Sequence, residues 1–181
     1  MKITHIRNAT LIVEYGGKTF LIDPMLAEKG TYPPFPNSIR QDQNNPLVNL
    51  PISVEEIIAD VDAVIVTHLH LDHFDDAAKQ ALPKDIKMFV QNEEEINTHK
   101  PEIIVVNGGD NQFLEGGSLV MGKEDIYQVF KAAPHATIIS VHMEAVNHWT
   151  LSREELKGFI NEKDMASRVF IPDDGEVYTF K

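Results

Sequence analysis

Cysteine is absent from the 181 residues, so no disulfide staples the chain and any metal must be held by nitrogen and oxygen ligands. Iron-sulfur clusters and zinc-thiolate sites are thereby excluded. No apolar run approaches the roughly 20 residues that cross a bilayer, and the start, MKITHIRNAT, has no apolar segment after its lysine. The expectation is a cytoplasmic chain with no membrane partner. Positive charge is also scarce: 16 Lys and Arg stand against 28 Asp and Glu, a formal charge of −12 that opposes nonspecific contact with phosphate backbones. Nucleic acid is not an expected partner, and a nuclease is the weakest enzyme reading. What is present suits one domain over 1–181, with 43% hydrophobic residues to build a core.

Strand and helix patterns alternate along the chain. KITHIRN and TLIVEY read as strands, Gly16 and Gly17 as a two-residue hairpin turn, and TFLID as the returning strand, so the chain opens with an antiparallel meander. From Met25 to Pro51 the sequence is rich in proline and asparagine and lacks periodicity, which predicts a long surface loop of the kind that carries function. Ser53 and Glu56 form a capping box for a short helix, and DAVIVTH is then a buried strand. Asp75 or Asp76 caps a helix that Pro83 ends, and IKMFV follows as a strand. EEEINTH is weakly helical, EIIVV is a buried strand, and NGGDNQFLEGGS is a glycine-rich loop. KEDIYQVFKAA is a helix and TIISVH a strand ending in His142, while Ser152 and Glu155 cap REELKGFINEK. SRVFI and EVYTF, joined by PDDG, are expected to close the chain as a hairpin. These elements describe an α/β (α+β) domain with mixed strands.

The densest chemistry lies in VTHLHLDHFDD, Val66 to Asp76, where the buried strand emerges. In an extended segment residues two apart point the same way, so His68 and His70 are expected to present their imidazoles to one ion. Asp72 and His73, on the turn into the next helix, face a second position nearby. A divalent ion held by such ligands with an open site lowers the pKa of water towards neutrality. The ordinary alternative is a polar surface loop with an accidental run of histidines.

THLHLDH resembles the HxHxDH signature of the metallo-β-lactamase superfamily. LIDP at Leu21 to Pro24, NGGDN at Asn107 to Asn111, MGKEDI at Met121 to Ile126 and the strand-final His142 are similar to the branch that includes L-ascorbate-6-phosphate lactonase and related metal-dependent hydrolases. The resemblance implies a four-layer αββα sandwich with a metal site at one edge of its two sheets. Carried over by position, His68 and His70 would bind a first metal, and Asp72, His73 and His142 a second, with Asp23 supporting them. Asp72 would also orient water or exchange its proton. Zinc is the first expectation for one or two ions, and manganese or iron suits the same ligands. The family also has a histidine and a bridging aspartate between the HxHxDH block and the strand matching EIIVV. Here FVQNEEEINTHKPEIIVV passes from one to the other almost directly, as if a central segment were absent and the sandwich reduced in its central strands.

Several other residues invite a role. Asp110 is a candidate carboxylate on the substrate side, set against a turn role; His148 and Glu144 share the loop after His142, and His148 could meet substrate or metal. Trp149 suits a site mouth or core packing. Surface or structural roles are expected for His5, His99 and His135, and a solvated helix start for Glu93 to Glu95. The reading is a metal-dependent hydrolase with a small, phosphorylated or lactone-type substrate. Its alternative is a noncatalytic or impaired protein of the same fold with an incomplete metal site. Homo-oligomer formation is left open.

Overall fold

A computed structural model describes residues 1–67, 69–90 and 102–180. His68, His99 and Glu93 to Glu95 therefore lie outside the described residues. The chain begins with β1 (Lys2–Arg7), β2 (Thr10–Tyr15) and β3 (Lys18–Ile22), an antiparallel meander as expected. Its second turn uses Gly16 and Gly17 at φ 59° and 73°, a left-handed pair that glycine adopts without a Cβ clash. The long loop follows, and then α1 (Val54–Ile58), held by the reciprocal Ser53 and Glu56 capping bonds. β4 (Ala63–Val66) and β5 (Lys87–Val90) flank α2 (Asp76–Ala81), whose N-cap is Asp75.

In the second half, β6 (Ile103–Asn107) leads through the glycine-rich loop to α3 (Lys123–Ala132), β7 (Thr137–Val141) and α4 (Arg153–Glu162). β8 (Val169–Phe170) and β9 (Val177–Thr179) complete the described elements. One sheet of six strands runs β5-β4-β3-β2-β1-β9, and a second of three runs β6-β7-β8. Ile3 and Leu11 of the first sheet pack on Ile139 and Val141 of the second. Behind the first sheet, Leu21 and Val64 meet Ile57 of α1 and Ala78 of α2; behind the second, Val106 and Ile138 meet Ile126 of α3 and Leu156 of α4. The four layers of the expected αββα sandwich are thus present, with the second sheet reduced to three strands among the described residues.

Two expectations are corrected. The chain does not close as a hairpin: β8 pairs with β7 in parallel, whereas β9 pairs with β1 antiparallel in the other sheet. The PDDG turn instead carries the chain across the sandwich, because each strand finds a free edge on a different sheet. Nor is β6 buried throughout. It is the edge strand of its sheet among the described residues, and Val105 is 41% exposed while Val106 is buried.

Candidate metal centre

Two turns, one from each half of the sandwich, meet at the edge of the sheets. β4 ends at Val66, and His70 opens a turn in which its carbonyl accepts from the amides of His73 and Phe74. Period-two strand geometry therefore does not reach His70, which is exposed. The turn instead drives Asp72 and His73 inward, where both are buried. From the other half, the chain leaving β7 turns sharply at His142, whose φ of 63° is unusual for a side chain larger than glycine. His142 is buried and lies against both of them: its Nε2 is 3.0 Å from Asp72 Oδ2, and its ring centroid is 4.9 Å from that of His73.

Asp72, His73 and His142 each bring a ligand atom within 4.8 Å of the others. Of the residues expected to bind metal, these three are brought together; His70 lines the same cavity without joining the cluster, and His68 lies outside the described residues. Asp23 stands behind them. Its Oδ2 is 2.9 Å from His73 Nδ1, and its two oxygens accept from the Thr67 amide at 2.7 Å and hydroxyl at 2.6 Å. A carboxylate on the far nitrogen of an imidazole fixes the ring and leaves its other nitrogen to face an ion. Asp23 also has positive φ, 44°, and Thr10 holds it there by donating to its carbonyl at 2.7 Å.

Asn8, in the turn between β1 and β2, was not foreseen. Its Nδ2 donates to the Asp72 carbonyl at 2.8 Å, and its own carbonyl accepts from the His142 amide at 2.8 Å. One buried residue, through its side chain and its backbone carbonyl, thus ties the two ligand-bearing turns to a single hairpin. Its only mark in sequence is an asparagine after a strand, which any turn would show.

The donor set fits a divalent cation. One carboxylate and two imidazoles are buried together, and His142 Nδ1 is buried without a hydrogen-bond partner among the described residues. Burial alone would raise the pKa of Asp72, but the hydrogen bond from His142 and the neighbouring imidazoles hold it well below the usual carboxylate range. Asp72 is therefore ionised as a ligand must be.

The remaining candidates fall elsewhere. Asp110 accepts from Gln112 Nε2 at 3.0 Å beside Gly122, outside the ligand cluster. Glu144 pairs with Arg153 at 2.7 Å. Trp149 packs under the Arg40 guanidinium, 3.9 Å from its ring centre, and is not part of the cavity wall. His5 is a buried structural residue, its Nε2 2.9 Å from the Asn8 carbonyl, and His135 is exposed. His148 lines the cavity, and burial pushes its pKa down to about 4, with Asp72 opposing.

A pH dependence follows from His148. Unfolded, it takes up a proton near 6.5; folded, it resists until about 4, so the unfolded state binds more protons between those values. Stability is therefore present above pH 6.5 and lost as pH falls towards 4. His5, also lowered by burial, acts in the same direction. In chelator-treated protein the urea midpoint should drop between pH 7 and 4.5, and less steeply in His148→Gln. Equal slopes for the two proteins would refute the assignment.

Comparison with known proteins bears on the family and the fold. A family model described as the metallo-beta-lactamase superfamily matches residues 4–146. The UPF0173 protein YddR of Bacillus subtilis (strain 168) is 52% identical over 254 residues, taking in 99% of this chain and 100% of the relative. That alignment is longer than the 181 residues here, so the relative carries segments without a counterpart in this chain. Among solved structures, the isothiocyanate hydrolase from Delia radicum gut bacteria is 35% identical, with a TM-score of 0.91 and 99% of each chain covered. A possible metal-dependent hydrolase from Veillonella parvula DSM 2008 is 31% identical, with a TM-score of 0.92 and the same coverage.

Proposed function

The chain belongs to the metallo-β-lactamase superfamily, and from that premise we propose that it is a metal-dependent hydrolase of small molecules. The observation that carries the reading is the convergence of Asp72, His73 and His142 from two halves of the fold, with Asp23 behind His73. These three residues would hold the ion, with His68 and His70 as further ligands from the motif. When bound, a divalent metal supplies an acidified water and an electrostatic clamp for the oxygen on which negative charge develops. Asp72 is the catalytic carboxylate, an ionised acceptor at Oδ2 that orients water or takes its proton. His73 is kept in one orientation by Asp23, and His148 and the apolar wall exclude bulk water from the reacting atoms.

The substrate is proposed to carry an electrophilic carbon. A relative 35% identical over nearly the whole chain is an isothiocyanate hydrolase, and the lactones suggested by the motif also react at carbon. Zinc is the proposed metal, and the residue types also suit manganese or iron.

One observation favours a second reading. Only three ligands gather among the described residues, and a relative has segments that this chain lacks, which suits an impaired site. Metal content per folded chain, after purification without chelators, separates the two. The hydrolase reading expects at least one ion per chain and turnover of an isothiocyanate or a lactone that is lost in His70→Ala. A chain that holds no metal and gains no stability on adding zinc would sink it.

A further inference from the structure

The cavity beside the ligand cluster encloses about 320 Å³, at the small end of the range for ligand pockets. Apart from the four residues His70 to His73 and His142, its walls are Phe35, Phe113, Leu119, Val120 and His148. Among the described residues no lysine or arginine lines it, so beyond a bound metal no described side chain of the wall would balance an anionic group. A phosphate or carboxylate on the substrate would lose its hydration here with no guanidinium or ammonium in return.

The aromatic side of the wall is built with some care. His148 is 4% exposed and lies between two rings: Phe35 meets it edge-on at 4.7 Å between centroids, and Phe113 lies nearly parallel at 6.1 Å. The Asn111 amide holds His148 Nε2 at 3.1 Å, and Gln112 donates its amide to the His148 carbonyl at 3.0 Å. Nδ1 is buried with no hydrogen-bond partner among the described residues. Leaving a buried ring nitrogen unpaired is costly, which marks a group kept for a ligand more than for packing. Phe35 is itself pinned to the loop after β7 by its amide, which donates to Asn147 Oδ1 at 3.0 Å.

Resting on the hydrolase reading above, we propose that this wall selects an uncharged substrate with a flat apolar tail. Phe113 and Phe35 take the tail, and His148, held by Asn111, is the polar contact for the group bearing the electrophilic carbon. Sugar phosphates and other anions are rejected by the same wall.

The test uses binding of unreactive probes, so that it does not depend on turnover. Calorimetry on zinc-supplemented protein would compare 2-phenylacetamide, its 4-sulfonated analogue and acetamide. The neutral arene should bind about tenfold or more tightly than either other compound, the factor that one buried ring or one desolvated charge readily supplies. Phe113→Ala, at a partly exposed position whose loss the fold tolerates, should weaken 2-phenylacetamide by about fivefold and leave acetamide unchanged. His148→Gln should weaken 2-phenylacetamide and acetamide alike. Equal binding of the sulfonated and neutral arenes, no effect of Phe113→Ala, or no binding of 2-phenylacetamide up to millimolar concentration would each overturn the proposal. Selective arene binding in a protein that holds no metal would overturn the hydrolase reading and leave the selectivity of the wall established.

Discussion

His142→Ala is expected to abolish tight metal binding and, with it, turnover. The variant removes the one proposed ligand that comes from the second half of the sandwich, and it leaves Asp72 buried with its 3.0 Å partner gone. Changing a group that only supports a ligand costs roughly 10- to 100-fold in affinity. Asp23→Ala belongs in that range, because Asp23 touches the proposed site through His73. His142→Ala should exceed it. Competition with a chromophoric chelator reads both affinities, and His135→Ala, at an exposed position before β7 and outside the cluster, serves as the control. Equal affinities in all three variants would remove the ligand assignment.

The second large effect concerns stability. Arg7 ends β1 with its side chain fully buried, and its guanidinium donates to the carbonyls of Val48 at 3.0 Å, Met25 at 2.6 Å and Ala27 at 3.0 Å. It is the internal clamp on both ends of the long loop. Burial pulls even this guanidinium down to about 10, with Asp75 opposing, so it remains charged at neutral pH. Arg7→Met fills similar volume but leaves three carbonyls without a donor. At about 1–3 kcal/mol for a buried group stripped of its partner, a total near 3 kcal/mol is expected. For a chain of this length that lowers Tm by roughly 6–12 °C. A thermal melt that moves by less than a degree or two would show that the loop ends hold without the clamp.

Much of this fold was legible because it is local. The capping boxes at Ser53 and Ser152, the Gly16-Gly17 turn and the Asp75 cap depend on residues within four positions of one another, and each forms as the sequence predicts. Strand pairing is not local. The last two strands looked like hairpin partners because a turn lies between them, but pairing is decided by which sheet edges are open, and those belong to β7 and β1. His70 illustrates the same limit at the site. Alternation along a strand predicts where its side chain points only while the strand continues, and β4 stops at Val66. Asp72 and His73 are named from the motif, and His142 and Asp23 from the family resemblance; Asn8, Arg7 and Asn147 are not named, since a polar residue that binds distant backbone has no spacing of its own. Phe35 and Phe113 left a fainter trace, as isolated aromatics inside loops rich in proline and glycine.

The crossing made between β8 and β9 also governs how the molecule comes apart. Arg153 on α4 grips both Glu144 and Asp174, at 2.7 and 2.6 Å, and the His5 carbonyl in β1 accepts from the Gly175 amide at 2.7 Å. The tail thereby laces the side of the smaller sheet to β1 of the larger one. Two layers that share such a seam cannot melt independently, so denaturation should be a single event, with Trp149 fluorescence and backbone dichroism tracing one curve.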